Sequence, residues 1–234
     1  MHSISSGHSG LSGTSSLPGP SAGHATLPRT LTCWVVTDGK PGMENQCLGL
    51  AEALGLTPAV KRVQLRSPWR QLSPYLRLGN RFAAGPNGDA IQPPWPDLLI
   101  GSGRQSIAPS LAVRKLSRGR TFTVQIQDPQ INPRHFDLVV VPRHDKLRGP
   151  NVLTTRGALH RVTPQMLANA AERHASRLAH LPHPRIAVLI GGNNGIFALT
   201  PTIMGEVAEK LADLARSHGA GLMVTPSRRT GADN

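Results

Sequence analysis

The sequence predicts an α/β protein built on parallel sheets, and three observations carry that reading. Short apolar runs rich in β-branched residues recur along the chain, each breaking into a polar turn marked by glycine or proline. Segments with helical apolar spacing follow several of these turns. The same order starts afresh after His180-Leu-Pro-His-Pro184, so residues 30–163 form one domain, 164–184 a linking helix and boundary, and 185–234 a second, partial domain.

The opening unit sets the pattern. Leu31–Val36 reads as a buried strand, and it breaks into Asp38-Gly39-Lys40-Pro41-Gly42. From Glu44 to Leu54, Cys47, Leu48, Leu50, Ala51 and Leu54 recur at helical spacing. Gly39 and Gly42 can take positive φ and bring backbone close to a ligand, and a helix start offers N–H groups to an anion. The turn matches neither the Walker loop nor the GxGxxG fingerprint.

The remaining elements follow in order. Ala59–Leu65 is expected as the second strand, and Trp69–Leu78 as a short helix with a basic face of Arg66, Arg70, Arg77 and Arg81. After a loop from Pro86 to Pro96, strand Asp97–Ile100 leads into Gly101-Ser102-Gly103-Arg104 and helix Ile107–Leu116. Strand Phe122–Ile126 ends in Gln127-Asp128-Pro129, Leu138–Val141 in Pro142-Arg143-His144-Asp145, and Asn151–Leu153 in Thr154-Thr155-Arg156-Gly157. In a parallel sheet these turns gather on one edge and build one cleft.

Pro164–Leu181 is expected as a helix with Met166, Leu167, Ala170, Ala171, Ala175, Leu178 and Ala179 inward. Strand Arg185–Ile190 then runs into Gly191-Gly192-Asn193, helix Pro201–Ser217 has Thr200 as its N-cap, and strand Gly221–Thr225 runs into Ser227-Arg228-Arg229-Thr230. A two-stranded piece is a poor independent domain, so either a larger C-terminal domain is truncated or the piece extends the first sheet.

Composition narrows the partners. Of 234 residues, 38% are hydrophobic but only 3% aromatic, which requires an aliphatic, alanine-rich core. The formal charge of +13 suits an anionic partner: a phosphate-bearing small molecule or, at the periphery, an acidic membrane surface. Aromatics do not interleave with the basic residues, which argues against nucleic acid. Cys33 and Cys47 sit in apolar patterns and suggest buried thiols in a reducing, cytoplasmic setting. No histidine or cysteine spacing indicates a metal, no cofactor motif is present, and no apolar run reaches membrane-spanning length. Residues 1–29, rich in Ser, Gly, His and Pro, read as a disordered leader without a secretory apolar stretch.

The blocks TDGKPGMENQCLGLAEALG, GSGRQSIAPSLAVR, QIQDPQINPRHFDLVVVPRHD, TRGALHRVT, VLIGGNNG and TPSRRTG resemble the mitochondrial fission (elongated mitochondria) family over roughly residues 31–231. The resemblance implies a fold like the GT-B glycosyltransferases, two Rossmann-like domains facing a cleft, here with the second one incomplete because family members are longer. It implies that the plant member acts at the mitochondrial outer surface and helps recruit a dynamin-related GTPase. Bacterial members look enzyme-like, and the arginine-, alanine- and glycine-rich composition suggests a bacterial source. Some carry a nucleotide-sugar epimerase label, which fits poorly: Tyr75 has no lysine four residues on.

Two functions follow as expectations. The first is metal-independent glycosyl transfer from a nucleotide-diphosphate sugar held between the domains. Helix N-termini and basic side chains would stabilise the leaving diphosphate. The candidate ligand-binding residues are Gly39, Lys40, Gly42, Ser102, Arg104, Gly191, Gly192, Asn193, Ser227, Arg228, Arg229 and Thr230. Asp38, Asp128 and His144 are the candidate bases, although both aspartates suit structural turns or caps equally well and a non-catalytic role is favoured for His144. The second function is a non-catalytic adaptor recruiting a dynamin-like partner at a membrane surface.

Overall fold

The computed structural model describes residues 31–76, 78–193, 195–227 and 229–231; the expected leader, Arg77 and Arg228 lie outside the described residues. The chain divides into two compact units between Arg161 and Val162. The first unit is Rossmann-like. Its strands are β1 (Cys33–Thr37), β2 (Ala59–Arg62), β3 (Leu98–Ser102), β4 (Phe122–Ile126), β5 (Leu138–Pro142) and β6 (Val152–Thr155). All pair in parallel, in the order β2-β1-β3-β4-β5-β6.

Helices cover both faces. Side chains of α1 (Pro41–Ala53) pack Cys47 and Ala51 against Cys33, Val35, Ile100 and Val124. On the opposite face, α3 (Arg104–Leu116) packs Val113 against Val36 and Leu99, and Ile107 against Val139 and Val141. Burial on both faces explains why the strands read as continuous apolar runs rather than alternating ones. Both cysteines are buried free thiols, and burial pushes Cys47 up to about 12.

Three boundaries differ from the sequence reading. Helix α1 starts at Pro41, whose missing N–H and fixed φ suit the first helical position, so Gly42 is helical and Gly39 alone of that pair has positive φ. The expected helix Trp69–Leu78 stops as α2 (Trp69–Leu72), because Pro74 cannot donate and Ser73 before it is extended. The second strand stops at Arg62; Leu65 makes only an isolated antiparallel bridge to Ala84.

The second unit holds α4 (Pro164–Leu178), β7 (Arg185–Leu189), α5 (Pro201–His218) and β8 (Gly221–Thr225). β7 and β8 pair in parallel from Arg185↔Gly221 to Leu189↔Thr225, as a sheet of their own rather than an extension of the first. Thr163 and Thr200 cap the two helices, accepting from the Met166 and Ile203 amides. The expected inward face of α4 is not buried: Met166 and Leu167 stand exposed, and no residue of the helix is buried. Of the expected inward residues only Ala170 and Leu178 are half-buried, and the others are exposed. No helix among the described residues is long and apolar enough to cross a membrane.

One polar junction ties three elements of the first unit together. Asp137, at the start of β5, accepts from Arg114 of α3 at 2.7 and 3.2 Å and from the Thr123 amide and hydroxyl of β4, both at 2.8 Å. Burial pushes the Asp137 carboxyl up, but bonds from Arg114 and Thr123 outweigh it and hold the group below its ordinary value. The stabilisation is therefore complete above the ordinary carboxylate range and is lost as pH falls through the lowered folded value. We expect Asp137→Asn to cost about 1–2 kcal/mol in urea denaturation at neutral pH, with the gap to the parent narrowing in acid. An unchanged midpoint at neutral pH would remove this role.

Candidate functional site

The chain passes from β1 to β2 on one side and returns to β3 on the other, so the strand order reverses between β1 and β3. Ligands of open parallel sheets bind outside the carboxyl ends at such a point. The pairing Val36↔Gly101 brings Thr37 and Ser102 abreast, and both are buried. The turns that follow them are the ones singled out in the sequence.

In the first turn, the Thr37 hydroxyl accepts from the Gly39 amide at 3.1 Å, and Asp38 Oδ1 accepts from the Lys40 amide at 3.3 Å. Lys40 Nζ pairs with Asp38 Oδ2 at 2.5 Å. Gly39 sits at φ +79°, where an L side chain is strained. The Lys40 carbonyl accepts from Met43 and Glu44, leaving the Gly42 amide without a partner among the described residues. Asp38 thus holds the turn and neutralises Lys40. Behind it, Glu44 receives Arg62 through two bonds of 2.8 and 2.7 Å, which lower its carboxyl below the ordinary range.

The second turn caps α3. Gly103 sits at φ +81°, and its carbonyl accepts from the Ser106 hydroxyl at 2.8 Å. Ser102 Oγ reaches Met43 Sδ at 3.3 Å, which joins the two turns directly. The exposed Arg104 donates to the Arg70 carbonyl at 3.1 Å, and the Ser73 hydroxyl donates to the Arg104 carbonyl.

A third turn completes the group. After β4, Gln127 and Gln130 adopt φ of +74° and +56°, unusual for non-glycine residues, on either side of Asp128-Pro129. Asp128 Oδ1 accepts from the Gln130 amide at 2.7 Å. Met43, Gly103, Arg104, Gln127, Asp128 and Gln130 line a cavity of about 220 Å³. His144 is not among its lining residues; its exposed ring lies 3.6 Å from Asp145 at the end of β5.

The sequence reading missed the floor of this cavity. Gln125 is buried in β4, accepts from Ser106 Oγ at 3.2 Å and lines the same space. Nearby, Ser110 Oγ is buried without a partner among the described residues. The signal was present: a glutamine inside the apolar run Phe-Thr-Val-Gln-Ile has no reason to be there unless a polar contact holds it.

In the second unit, the two turns named in the sequence lie side by side on one edge. The Asn193 amide donates to the Arg229 carbonyl at 2.9 Å, and the Thr230 hydroxyl to the Gly191 carbonyl at 2.5 Å. A Cβ on Gly192 would lie 2.0 Å from the Arg229 carbonyl carbon, so only glycine permits this approach. The Ser227 amide and hydroxyl both bond Thr230 Oγ1, at 2.8 and 3.1 Å, and Asn193 Oδ1 accepts from Leu199. Those side chains build the turns, and Arg229 is exposed beside them. Among the described residues, no group of three His, Cys, Asp or Glu side chains could hold a metal ion.

The profile of the family described as Mitochondrial fission ELM1 matches residues 41–234, a stretch containing most of both turn clusters. The chain belongs to that family. It is also 24% identical over 272 aligned residues to "Mitochondrial fission protein ELM1" of Arabidopsis thaliana, an alignment covering 85% of this chain. The chain spans 64% of that relative's length. No solved structure matches it.

Two glycines of this family member make distinct predictions. Gly39→Val should cost about 1–3 kcal/mol through its positive φ, against about 0.5 kcal/mol or less for Lys40→Ala. Gly192→Ala should open the Asn193–Arg229 contact and raise amide exchange at Asn193. Equal melting temperatures for the two first-unit variants, or unchanged exchange at Asn193, would contradict these roles.

Proposed function

We propose that this chain is a GT-B-like protein that binds a nucleotide-diphosphate sugar, or a similar anionic ligand, at the carboxyl-edge turns. The observation that carries the proposal is the convergence of the 38–42, 102–104 and 127–130 turns at the point where the strand order reverses, beside a cavity lined by Arg104 and Asp128. The family likeness supports it, and the two Rossmann-like halves of a GT-B protein would correspond to the two units.

In this reading the α1 start, through the Gly42 amide, and Arg104 supply positive potential to an anionic ligand at the turns of the first unit, and Arg229 supplies it at the turns of the second. Negative charge grows on the leaving diphosphate as the glycosidic bond breaks, so fixed donors stabilise the transition state more than the ground state. Asp128 is the stronger candidate for the base that takes the acceptor's proton. One of its oxygens holds the turn and the other has no described partner, whereas Asp38 is occupied by Lys40 and the turn amide. The setting would be cytoplasmic, where such donors are made.

Thermal melting with UDP- and GDP-sugars tests the ligand class, since binding to the folded state alone raises the midpoint. We expect a rise with at least one donor. Arg229→Ala should then weaken nucleoside-diphosphate binding about tenfold, the size of one charge-assisted hydrogen bond. Asp128→Asn should retain binding and abolish transfer. No shift with any donor, together with co-sedimentation on acidic liposomes, would favour the adaptor function instead.

A further inference from the structure

A larger cavity lies away from these turns. It occupies about 880 Å³ between residues 78–82 and the C-terminal half of α3. Leu78, Phe82, Leu111 and Leu116 form its apolar surface. Leu78 is 84% exposed, Phe82 50% and Leu116 44%, so a run of apolar side chains is held open to water.

The charged residues of the lining are all basic, Arg81, Arg114, Lys115 and Arg118, and they stand beside the polar Asn80 and His135. Arg114 is engaged by Asp137, and the Arg81 guanidinium lies 4.5 Å from the Phe82 ring centroid. Lys115 and Arg118 have no carboxylate partner among the described residues, and both are exposed. Cations at a helix C-terminus are favoured by its dipole, which accounts for Arg114 and Lys115. The dipole does not account for three open apolar side chains beside them.

We propose that this trough binds a single-chain amphiphile with an anionic head group, its chain over Leu78, Leu111 and Leu116 and its head between Lys115 and Arg118. The volume lies within the roughly 300–1,000 Å³ of small-molecule pockets, which favours one bound molecule over contact with a flat bilayer. The lining also favours a chain over a nucleobase. Its apolar part is mainly aliphatic, with Leu78, Leu111, Ala112 and Leu116, and the Phe82 ring is already faced by Arg81.

The test is calorimetry on the full chain with dodecyl phosphate below its micelle concentration. Dodecanol and inorganic phosphate should each bind at least tenfold more weakly, because each supplies half of the recognition. The Lys115→Gln/Arg118→Gln double variant should lose at least tenfold in affinity, and Leu78→Asp should lose a similar factor, both with the parent's melting temperature. Equal affinity of the double variant, or equally tight binding of inorganic phosphate, would overturn the proposal. Displacement of dodecyl phosphate by a UDP-sugar would move the ligand to the carboxyl-edge turns. Binding to acidic vesicles without uptake of the monomer would replace the pocket with a membrane-docking surface.

Discussion

The parallel pairing of β1 with β3 is the constraint on which the first unit depends. β3 is buried along its whole length, and its register with β1 sets Thr37 beside Ser102 at the carboxyl edge. From that edge α1 and α3 depart to opposite faces, so their starts diverge and leave a gap that polar residues must fill. Gly101 permits the filling: a Cβ there would meet Gln125 Oε1, Ser106 Oγ and Ser110 Oγ, each at 3.0 Å. A larger residue would push apart the contacts that join β3, β4 and α3. The buried polar group is thus a consequence of the reversal in strand order, and its dependence on one small residue makes it specific to this edge.

The electrostatics follow from scarcity. Acidic residues number 13 against 26 lysines and arginines, and several acids are held in structural pairs. Glu44 ties α1 to the end of β2 through Arg62, Glu52 ties α1 to Arg161, Asp137 ties α3 to β5, and Asp38 closes its own turn on Lys40. Each carboxylate that positions an element also cancels one cation there. Part of the surplus positive charge lies on turns and helix ends, as at Arg104, Lys115 and Arg118. Asp128, like Glu172, Glu206 and Glu209, is an exposed acid with no ion-pair partner among the described residues, and of these it is the one that lines the carboxyl-edge cavity.

Much of this arrangement is legible in the sequence because local chemistry and burial agree. Cys-Trp-Val-Val-Thr, Leu-Leu-Ile-Gly-Ser and Leu-Val-Val-Val-Pro are apolar on both faces and become strands of the parallel sheet. Pro41, Pro164 and Pro201 mark helix starts, and Thr163 and Thr200 cap the last two with side-chain bonds. The pairing of the Gly191–Asn193 and Ser227–Thr230 turns follows from the parallel order of their strands. Less legible is the segment from Arg66 to Ala84. Its apolar spacing imitates a helix, but Pro74 ends the helix after one turn, and Trp69 Nε1 instead donates to the Leu78 carbonyl at 3.0 Å. The floor of the candidate site was hidden for a different reason. Gln125 and Ser106 belong to different elements, and only the fold brings them together.

The second unit shows how local determinants can specify structure where burial does not. Parallel strands are normally covered on both faces, yet Leu189 and Val224 are exposed, and neither α4 nor α5 has a buried residue. Its helices are bounded by threonine caps at their starts and, for α5, by Gly219 in the left-handed conformation at its end. Its turns are fixed by backbone contact: Gly192 lies against the Arg229 carbonyl, and Thr230 is buried beneath both loops with its hydroxyl on Gly191. The geometry of this turn pair is therefore set by hydrogen bonds and close packing within the two turns themselves. The exposed apolar faces make no contribution to that geometry, and it follows that the turn pair can keep its shape without their being covered.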